Sequence, residues 1–236
     1  MEDDKSQPPT PDNSGYPVNF RVIAPRLYRS SYPQHEHFAV LGDLELKTIV
    51  TLVPEDLPLE YANFISSNGI THHHIPILAN KDEKIFTPNE TVEQVLALML
   101  EPANFPMLIH CNKGKHRTGC MTACFRRTTG WPLEETIAEY VKYSEPKSRD
   151  LDKAFISRFD SAGLKPLAYD RGYIGGVYGP HVFTSTHSSI YSNASIETDT
   201  TIASEIAKSG PKNEYHEKAF RQRDADLESS RLWSHK

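Results

Sequence analysis

The sequence predicts an α/β fold in which a compact, mostly parallel sheet is flanked by helices. Three observations support this prediction. Short β-branched or apolar segments alternate with helical segments between residues 17 and 168. The helical segments are long enough to connect parallel strands as crossovers. A short apolar strand at 107–109 leads into a glycine-containing loop and then a helix, and ligands of parallel sheets bind where a strand ends in this way.

Four strands and five helices are expected in this region. The strands are the stretches rich in β-branched or apolar residues, at 27–29, 48–52, 71–77 and 107–109. The helices have apolar residues at helical spacing, at 59–67, 88–99, 117–129, 133–143 and 151–159. The second helix should have Thr87 as its N-cap, because Pro88 and Glu90 complete a capping-box pattern.

Composition divides the chain of 236 residues into a folded middle and two polar ends. Hydrophobic residues make up 38% of the chain and 17 residues are proline, so part of the chain is expected to be unpacked. Residues 1–16 are rich in Pro, Asp and Ser and are predicted to be a disordered tail. Residues 17–168 form the predicted folded domain, and residues 169–236 are expected to be a poorly ordered extension.

Charge and hydropathy exclude several classes of function. The net charge is -5, and no run of like charge is long enough for a nucleic-acid-binding arm. The N-terminus resembles no secretory signal, and no apolar run is long enough to cross a bilayer. Three clustered cysteines, Cys111, Cys120 and Cys124, do not form a disulfide framework. We therefore expect a protein of the cytoplasm or nucleus that inserts into no membrane and binds no nucleic acid, with the oligomeric state left open.

One loop concentrates the reactive side chains. Residues 110–119 read His-Cys-Asn-Lys-Gly-Lys-His-Arg-Thr-Gly and follow the strand at 107–109. A loop between a strand and a helix N-terminus can direct its N–H groups at an anion, and the helix adds about half a positive charge. Gly114 permits the turn, and the same field favours the thiolate of Cys111. The planar fork of Arg117 matches two phosphate oxygens.

This arrangement predicts a phosphatase with Cys111 as its nucleophile. The thiolate would attack phosphorus in line and form a thiophosphate, which water then hydrolyses. The loop and Arg117 would stabilise the equatorial oxygens, and Thr118 would hydrogen-bond the departing sulfur. No metal or cofactor is required. The histidine run 72–74 cannot converge on one ion, because alternate side chains of a strand point to opposite faces.

The loop also resembles the signature of a known family. The run 109–120 is similar to that of the plant and fungal atypical dual-specificity phosphatases, some of which are inositol pyrophosphate phosphatases. The resemblance covers about residues 18–160 and includes landmarks at 18–20, 28–30, Pro33, 46–49, 146–147 and 149–152. It implies the compact cysteine-phosphatase fold, and cleavage of the β-phosphate from the 5-diphosphate of diphosphoinositol polyphosphates.

Cations around the loop fit such a substrate, which carries many negative charges, whereas a phosphotyrosine needs one phosphate site and a deep aromatic slot. The residues expected to contact the substrate are Asn112, Lys113, Gly114, Lys115, His116 and Thr118 in the loop region, with Lys81 and Lys147 outside it. Lys84 is a further candidate. For each lysine outside the loop, the alternative is a solvated surface charge.

The general acid is assigned to Asp82. Larger tyrosine-specific phosphatases carry a Trp-Pro-Asp loop before the nucleophile, whereas Trp131 and its proline follow it here and are interpreted as a helix start. The family resemblance points instead to residues 79–83, where this chain departs from the family's Gly-Asn-Lys-Glu-Pro at three positions. The alternative is that Asp82 is a loop carboxylate or a partner of Lys81. A pyrophosphate leaving group needs protonation less than a serine alkoxide does.

The sequence is therefore consistent with three hypotheses about function. The first is an inositol pyrophosphate phosphatase, and the second is a protein tyrosine or dual-specificity phosphatase with the same chemistry. The third is a non-catalytic phosphate-binding partner protein, which is disfavoured because both Cys111 and Arg117 are present.

Overall fold

A five-stranded sheet organises the chain in the computed structural model, which describes residues 15–82 and 87–176. The strands are β1 (Arg21–Ala24), β2 (Leu27–Ser30), β3 (Thr48–Thr51), β4 (Thr71–His74) and β5 (Met107–His110). Their order in the sheet is β1-β2-β5-β3-β4. β1 and β2 pair antiparallel, whereas the other neighbours are parallel. The predicted mostly parallel sheet is thus confirmed.

Seven α-helices lie in the described residues. They are α1 (Phe38–Gly42), α2 (Leu59–Ser67), α3 (Asn89–Leu100), α4 (His116–Thr128), α5 (Leu133–Ser144), α6 (Asp150–Arg158) and α7 (Lys165–Asp170). No helix of this part of the chain is both long and apolar enough to cross a bilayer. The predicted helix at 59–67 has the observed bounds, because Asn68 caps its end and Gly69 follows at φ +64.

Some predictions of local structure were wrong or incomplete. The capping box at Thr87 is absent: Pro88 is itself the N-cap, with an extended ψ of 143, and α3 begins at Asn89. Strand β1 and helices α1 and α7 were not predicted. The strand predicted at 71–77 ends at His74. The N-terminal tail up to residue 14, Lys84 and residues 177–236 lie outside the described residues.

The sheet separates two apolar clusters. On one face, Val50 and Ile109 pack with buried side chains of α3 and α4, including Val95 and Phe125. On the other face, Ile49 and Leu108 pack with α1 and α2. Neighbouring residues of one strand thus enter opposite cores, which is the pattern of a sheet that is covered on both faces.

The central strand β5 positions the site. In the parallel registers, His110 lies opposite Ser30 of β2 and Thr51 of β3. The chain therefore leaves β5 at the carboxyl edge of the sheet, between the ends of two parallel neighbours. Ligands of α/β sheets bind at this edge, outside the carboxyl ends of the strands.

Candidate active site

The phosphate loop, residues 111–117, connects β5 to α4. Cys111 follows β5 directly and is 3% exposed, whereas Asn112 and Lys113 face solvent. The helix begins at His116, one residue before the predicted start, so the last two loop residues form its first turn. The N-terminus of a helix of 13 residues therefore stands at one end of the loop, with its unpaired N–H groups.

The carbonyl groups of three consecutive loop residues are held from outside the loop. The contacts are Tyr32 N to the Asn112 oxygen at 3.2 Å, Asn19 Nδ2 to the Lys113 oxygen at 2.9 Å, and Arg29 Nη2 to the Gly114 oxygen at 2.6 Å. In a trans peptide the N–H points opposite to the C=O. The N–H groups of residues 113–115 therefore each point away from the donor that holds their own peptide, and successive N–H groups can form an anion-binding nest.

Position 114 requires glycine, because of its backbone conformation and because there is no space for a side chain. Its φ is +64, which side chains rarely adopt, and a Cβ here would lie 2.6 Å from the carbonyl carbon of Ser30. The loop thus packs directly on the backbone at the end of β2.

Arg117 and Thr118 lie in the first turn of α4. Arg117 is half-buried, and its Nη1 donates a long hydrogen bond of 3.5 Å to the carbonyl of Ile77, after β4. The hydroxyl of Thr118 is buried and has no hydrogen-bond partner among the described residues. The roles assigned to Cys111, Arg117 and Thr118 remain predictions of the sequence, and these positions are compatible with them.

His116 is engaged by a buried carboxylate that the sequence analysis did not select. Asp152 of α6 is 1% exposed and accepts from His116 Nδ1 at 3.0 Å, Tyr140 Oη at 2.6 Å and Asn80 Nδ2 at 2.9 Å. Burial raises the pKa of Asp152, but these hydrogen bonds outweigh it and leave the pKa below its ordinary value. Asp152 is therefore ionised at neutral pH, and it joins the phosphate loop to the segment that precedes Asp82.

Three lysines form a rim at the loop: Lys113 and Lys115 within it and Lys147 outside it. Lys115 donates to the carbonyl of Glu145 at 2.8 Å, and burial, together with the charges of Lys113 and Lys147, lowers its pKa. These lysines are therefore close enough to repel one another, which makes this rim positive and favourable for a polyanion. Lys81 is exposed and lies after β4, beside Asp82.

Asp82 is exposed and is the last described residue before the gap at 83–86. Its loop is anchored on the phosphate-loop side through the bond from Asn80 to Asp152. The role of Asp82 as general acid remains a prediction.

His110 is engaged in hydrogen bonds, and Cys120 and Cys124 are kept protonated by burial. His110 is fully buried, and its Nε2 lies 2.9 Å from Thr51 Oγ1 and 3.0 Å from Tyr61 Oη. Burial lowers the pKa of His110 to about 3, so the ring is neutral. Burial also raises the pKa of the Cys120 and Cys124 thiols, which keeps them protonated. Among the described residues, no group of His, Cys, Asp and Glu could hold a metal ion.

Comparison with known proteins identifies the family. The profile described as the tyrosine phosphatase family matches residues 16–170, which is more than half of the chain. The chain belongs to the tyrosine phosphatase family.

A fungus and a plant provide two of the relatives. Over 159 residues the chain is 38% identical to inositol diphosphatase SIW14 of Saccharomyces cerevisiae, an alignment that spans 67% of this chain and 57% of that protein. It is 37% identical to inositol diphosphatase DSP2 of Oryza sativa subsp. japonica, over 64% of this chain and 74% of the relative. The chain thus spans less than two thirds of the length of the yeast relative.

Solved structures of the tyrosine phosphatase family agree with the fold. The core catalytic domain of the PP-IP phosphatase SIW14 from S. cerevisiae, in complex with citrate, has a TM-score of 0.62 and 37% identity, covering 67% of this chain and 95% of that one. TpbA of P. aeruginosa has a TM-score of 0.54 at 24% identity and supports the fold alone. The predicted cysteine-phosphatase fold and the predicted resemblance to fungal and plant phosphatases are confirmed.

Three residues that support the phosphate loop of this family member escaped the sequence analysis as site residues. Arg29, Asn19 and Asp152 lie 85, 94 and 36 residues from their partners in the loop or its helix. The sequence did contain a sign that Arg29 and Asp152 are special. Arg29 lies two residues after the buried Leu27 on a strand, and Asp152 lies one helical turn before the buried Ile156, so each is a charged residue at a core position. A buried charge needs a partner, and the partner indicates the site.

Proposed function

We propose that the chain is a metal-independent cysteine phosphatase which hydrolyses the β-phosphate of the 5-diphosphate group of diphosphoinositol polyphosphates. The observation that supports this most is the phosphate loop, whose three held carbonyls turn the N–H groups of the same peptides away from the residues that hold them, with Cys111 at its start and a helix N-terminus at its end. That geometry suits a phosphoryl group with charge on its equatorial oxygens. The relatives named inositol diphosphatase support the substrate.

The reaction proceeds in two displacements. The thiolate of Cys111 attacks the β-phosphorus, an S–P bond forms, and the bond from phosphorus to the bridging oxygen breaks, so that the inositol phosphate leaves. Water then attacks the thiophosphate, the S–P bond breaks, and inorganic phosphate leaves while Thr118 hydrogen-bonds the sulfur. Arg117 grips two phosphoryl oxygens in both steps. Asp82 supplies a proton to the leaving group and then accepts one from the water.

The lysine-rich rim supports a polyanionic substrate over a single phosphotyrosine. Lys113, Lys115 and Lys147 lie near one another at the loop, and remaining phosphates of an inositol ring can meet these cations. A protein that carries one phosphate would leave most of this charge unused. A catalytic thiolate also requires a reducing compartment, which favours the cytoplasm or the nucleus.

The test compares substrates in the absence of metal. Purified protein is offered a 5-diphosphoinositol polyphosphate and a panel of phosphotyrosine and phosphoserine peptides, and phosphate release is measured. We expect release from the inositol compound to be at least about tenfold faster in kcat/KM. Preference for phosphotyrosine would refute the substrate, and the absence of turnover with retained binding would indicate a phosphate-binding partner protein.

Four variants test the residues. Cys111→Ser should lose turnover and keep binding, whereas Arg117→Ala should lose both; turnover in Cys111→Ser would disprove the covalent mechanism. Asp82→Asn should slow phosphomonoesters more than the diphosphate, and equal effects would count against Asp82 as the acid. Cys124→Ser is the matched control, since Cys124 is a fully buried thiol on α4, and it should turn over like the unmodified protein.

A further inference from the structure

Arg29 is a charged residue inside the core, beside the phosphate loop. It lies on β2 opposite Ile109 of β5, and it is 1% exposed. Transfer of a guanidinium into such a place costs free energy unless its donors are paired. Burial lowers the pKa of Arg29, an effect that Glu139, Tyr143 and Cys111 oppose. The buried guanidinium of Arg29 thus lies against the loop that begins with the predicted nucleophile.

The contacts of Arg29 all face the loop and the helices behind it. Its Nη2 donates to the Gly114 carbonyl at 2.6 Å, and its guanidinium lies 4.3 Å from the ring centre of Tyr143. Nε and Nη1 have no hydrogen-bond partner among the described residues. Gly119 of α4 borders the group, since a Cβ at that position would be at ordinary contact distance, 3.8 Å, from Nη2.

A second buried arginine provides a comparison. Arg126 of α4 is 3% exposed, and it donates through Nε and Nη2 to Glu139 at 2.8 and 3.0 Å and through Nη1 to the carbonyl of Ile23 at 2.7 Å. All three of its nitrogens are paired, as expected of an arginine that serves packing alone. Within the described part of the chain, Arg29 leaves two nitrogens unpaired and uses its one hydrogen bond on the loop, so packing does not account for it.

We propose that Arg29 is a positioning residue of the phosphate loop: it fixes the Gly114 peptide so that the Lys115 N–H faces the bound phosphoryl group, and its charge stabilises the thiolate of Cys111. The first effect follows from the antiparallel C=O and N–H of one peptide. The second follows because a cation in a low-dielectric interior acts strongly on a nearby anion. The catalytic part of this inference rests on the proposed function, whereas the effect on the thiol does not.

The experiment measures the reactivity of the thiol without any substrate. The full chain and its Arg29→Met and Arg29→Lys variants are treated with iodoacetamide from about pH 5 to about pH 9, and alkylation of Cys111 is followed by peptide mass spectrometry. Cys124, which is fully buried, serves as the internal reference for unfolding. Turnover is measured in parallel.

We expect Arg29→Met to move the pH midpoint of Cys111 alkylation upward and to lower kcat by about 100-fold. Arg29→Lys keeps the charge, but its ammonium ends one bond short of the Nη2 position that reaches the Gly114 carbonyl. Its midpoint should therefore stay near that of the unmodified protein while kcat falls. Arg126→Met is the matched control, which should lower the urea midpoint of unfolding and leave the alkylation profile unchanged.

An unchanged alkylation profile in folded Arg29→Met would overturn the electrostatic role, and full turnover in Arg29→Lys would overturn the positioning role. If Arg29→Met does not fold, a kcat of Arg29→Lys reduced by about 100-fold with an unshifted profile supports the proposal. Failure of the chain to cleave inositol pyrophosphates would refute the proposed function and leave the alkylation result standing.

Discussion

Replacement of Asp152 by asparagine removes one buried negative charge and nearly preserves the shape of the side chain. The carboxylate accepts hydrogen bonds from His116, Tyr140 and Asn80 at 3.0, 2.6 and 2.9 Å. An amide can satisfy only part of this set, because one of its two polar atoms is a donor. A hydrogen bond to a charged group contributes about 1.5–3 kcal/mol. We therefore expect Asp152→Asn to lower the free energy of unfolding at neutral pH by about 3 kcal/mol.

The stability difference between the unmodified protein and Asp152→Asn should depend on pH. Because the hydrogen bonds hold the pKa of Asp152 below its ordinary value, the ionised carboxylate stabilises the fold above the unfolded pKa of about 3.9. That contribution is lost as the pH falls through the folded value. The two proteins should thus differ most above about pH 5 and converge below about pH 4. His110, whose pKa burial lowers to about 3, weakens both proteins on acidification and cancels in the difference.

Urea unfolding followed by tryptophan fluorescence at several pH values tests this reasoning. Asp150→Asn is the matched control on the same helix, because the Asp150 side chain is 96% exposed and pairs only with Lys153 at the surface among the contacts of the described residues. The control should not move the urea midpoint measurably. A loss of less than about 0.5 kcal/mol in Asp152→Asn, or an equal loss at low and neutral pH, would refute the account of this network.

Three further predictions concern the loop and the strand beneath it. Gly114→Ala should lower kcat/KM on a phosphomonoester by at least about 100-fold, because its Cβ would lie 2.6 Å from the Ser30 carbonyl carbon; normal turnover would contradict the loop geometry. Tyr61→Phe, which removes the hydroxyl 3.0 Å from His110 Nε2, should cost about 1 kcal/mol in urea unfolding, and a more stable variant would disprove it. The ring signals of His110 in NMR should not titrate between about pH 5 and 8, because burial lowers its pKa to about 3; a midpoint in that range would argue against its burial.

Elements with local causes could be predicted from the sequence. The helix α2 has its predicted bounds because the Asn-Gly pair stops it, and the phosphate loop was recognised because its residues are consecutive. The strand β1 escaped prediction since it has four residues, two of them exposed, and an irregular pairing with β2. The capping box at Thr87 failed because Pro88 took an extended backbone, a choice that the pattern of side-chain types does not reveal.

The supports of the site could not be predicted in the same way. Asn19, Arg29 and Asp152 matter through single atoms that meet the loop or its helix only after the sheet and α6 are in place. Periodicity identifies buried faces but not which distant backbone oxygen a buried guanidinium will reach. A charge at a core position therefore indicates that a partner exists without naming it.

Because β2 holds the phosphate loop, the loop can be completed only at a certain stage of synthesis and folding. Arg29 and Gly114 are 85 residues apart, and Asn80 and Asp152 are 72 apart, so most of the domain must leave the ribosome before either bond can form. Contacts so distant along the chain form late and slowly. The predicted nucleophile, Cys111, would thus acquire its complete surroundings only after these distant segments have come together.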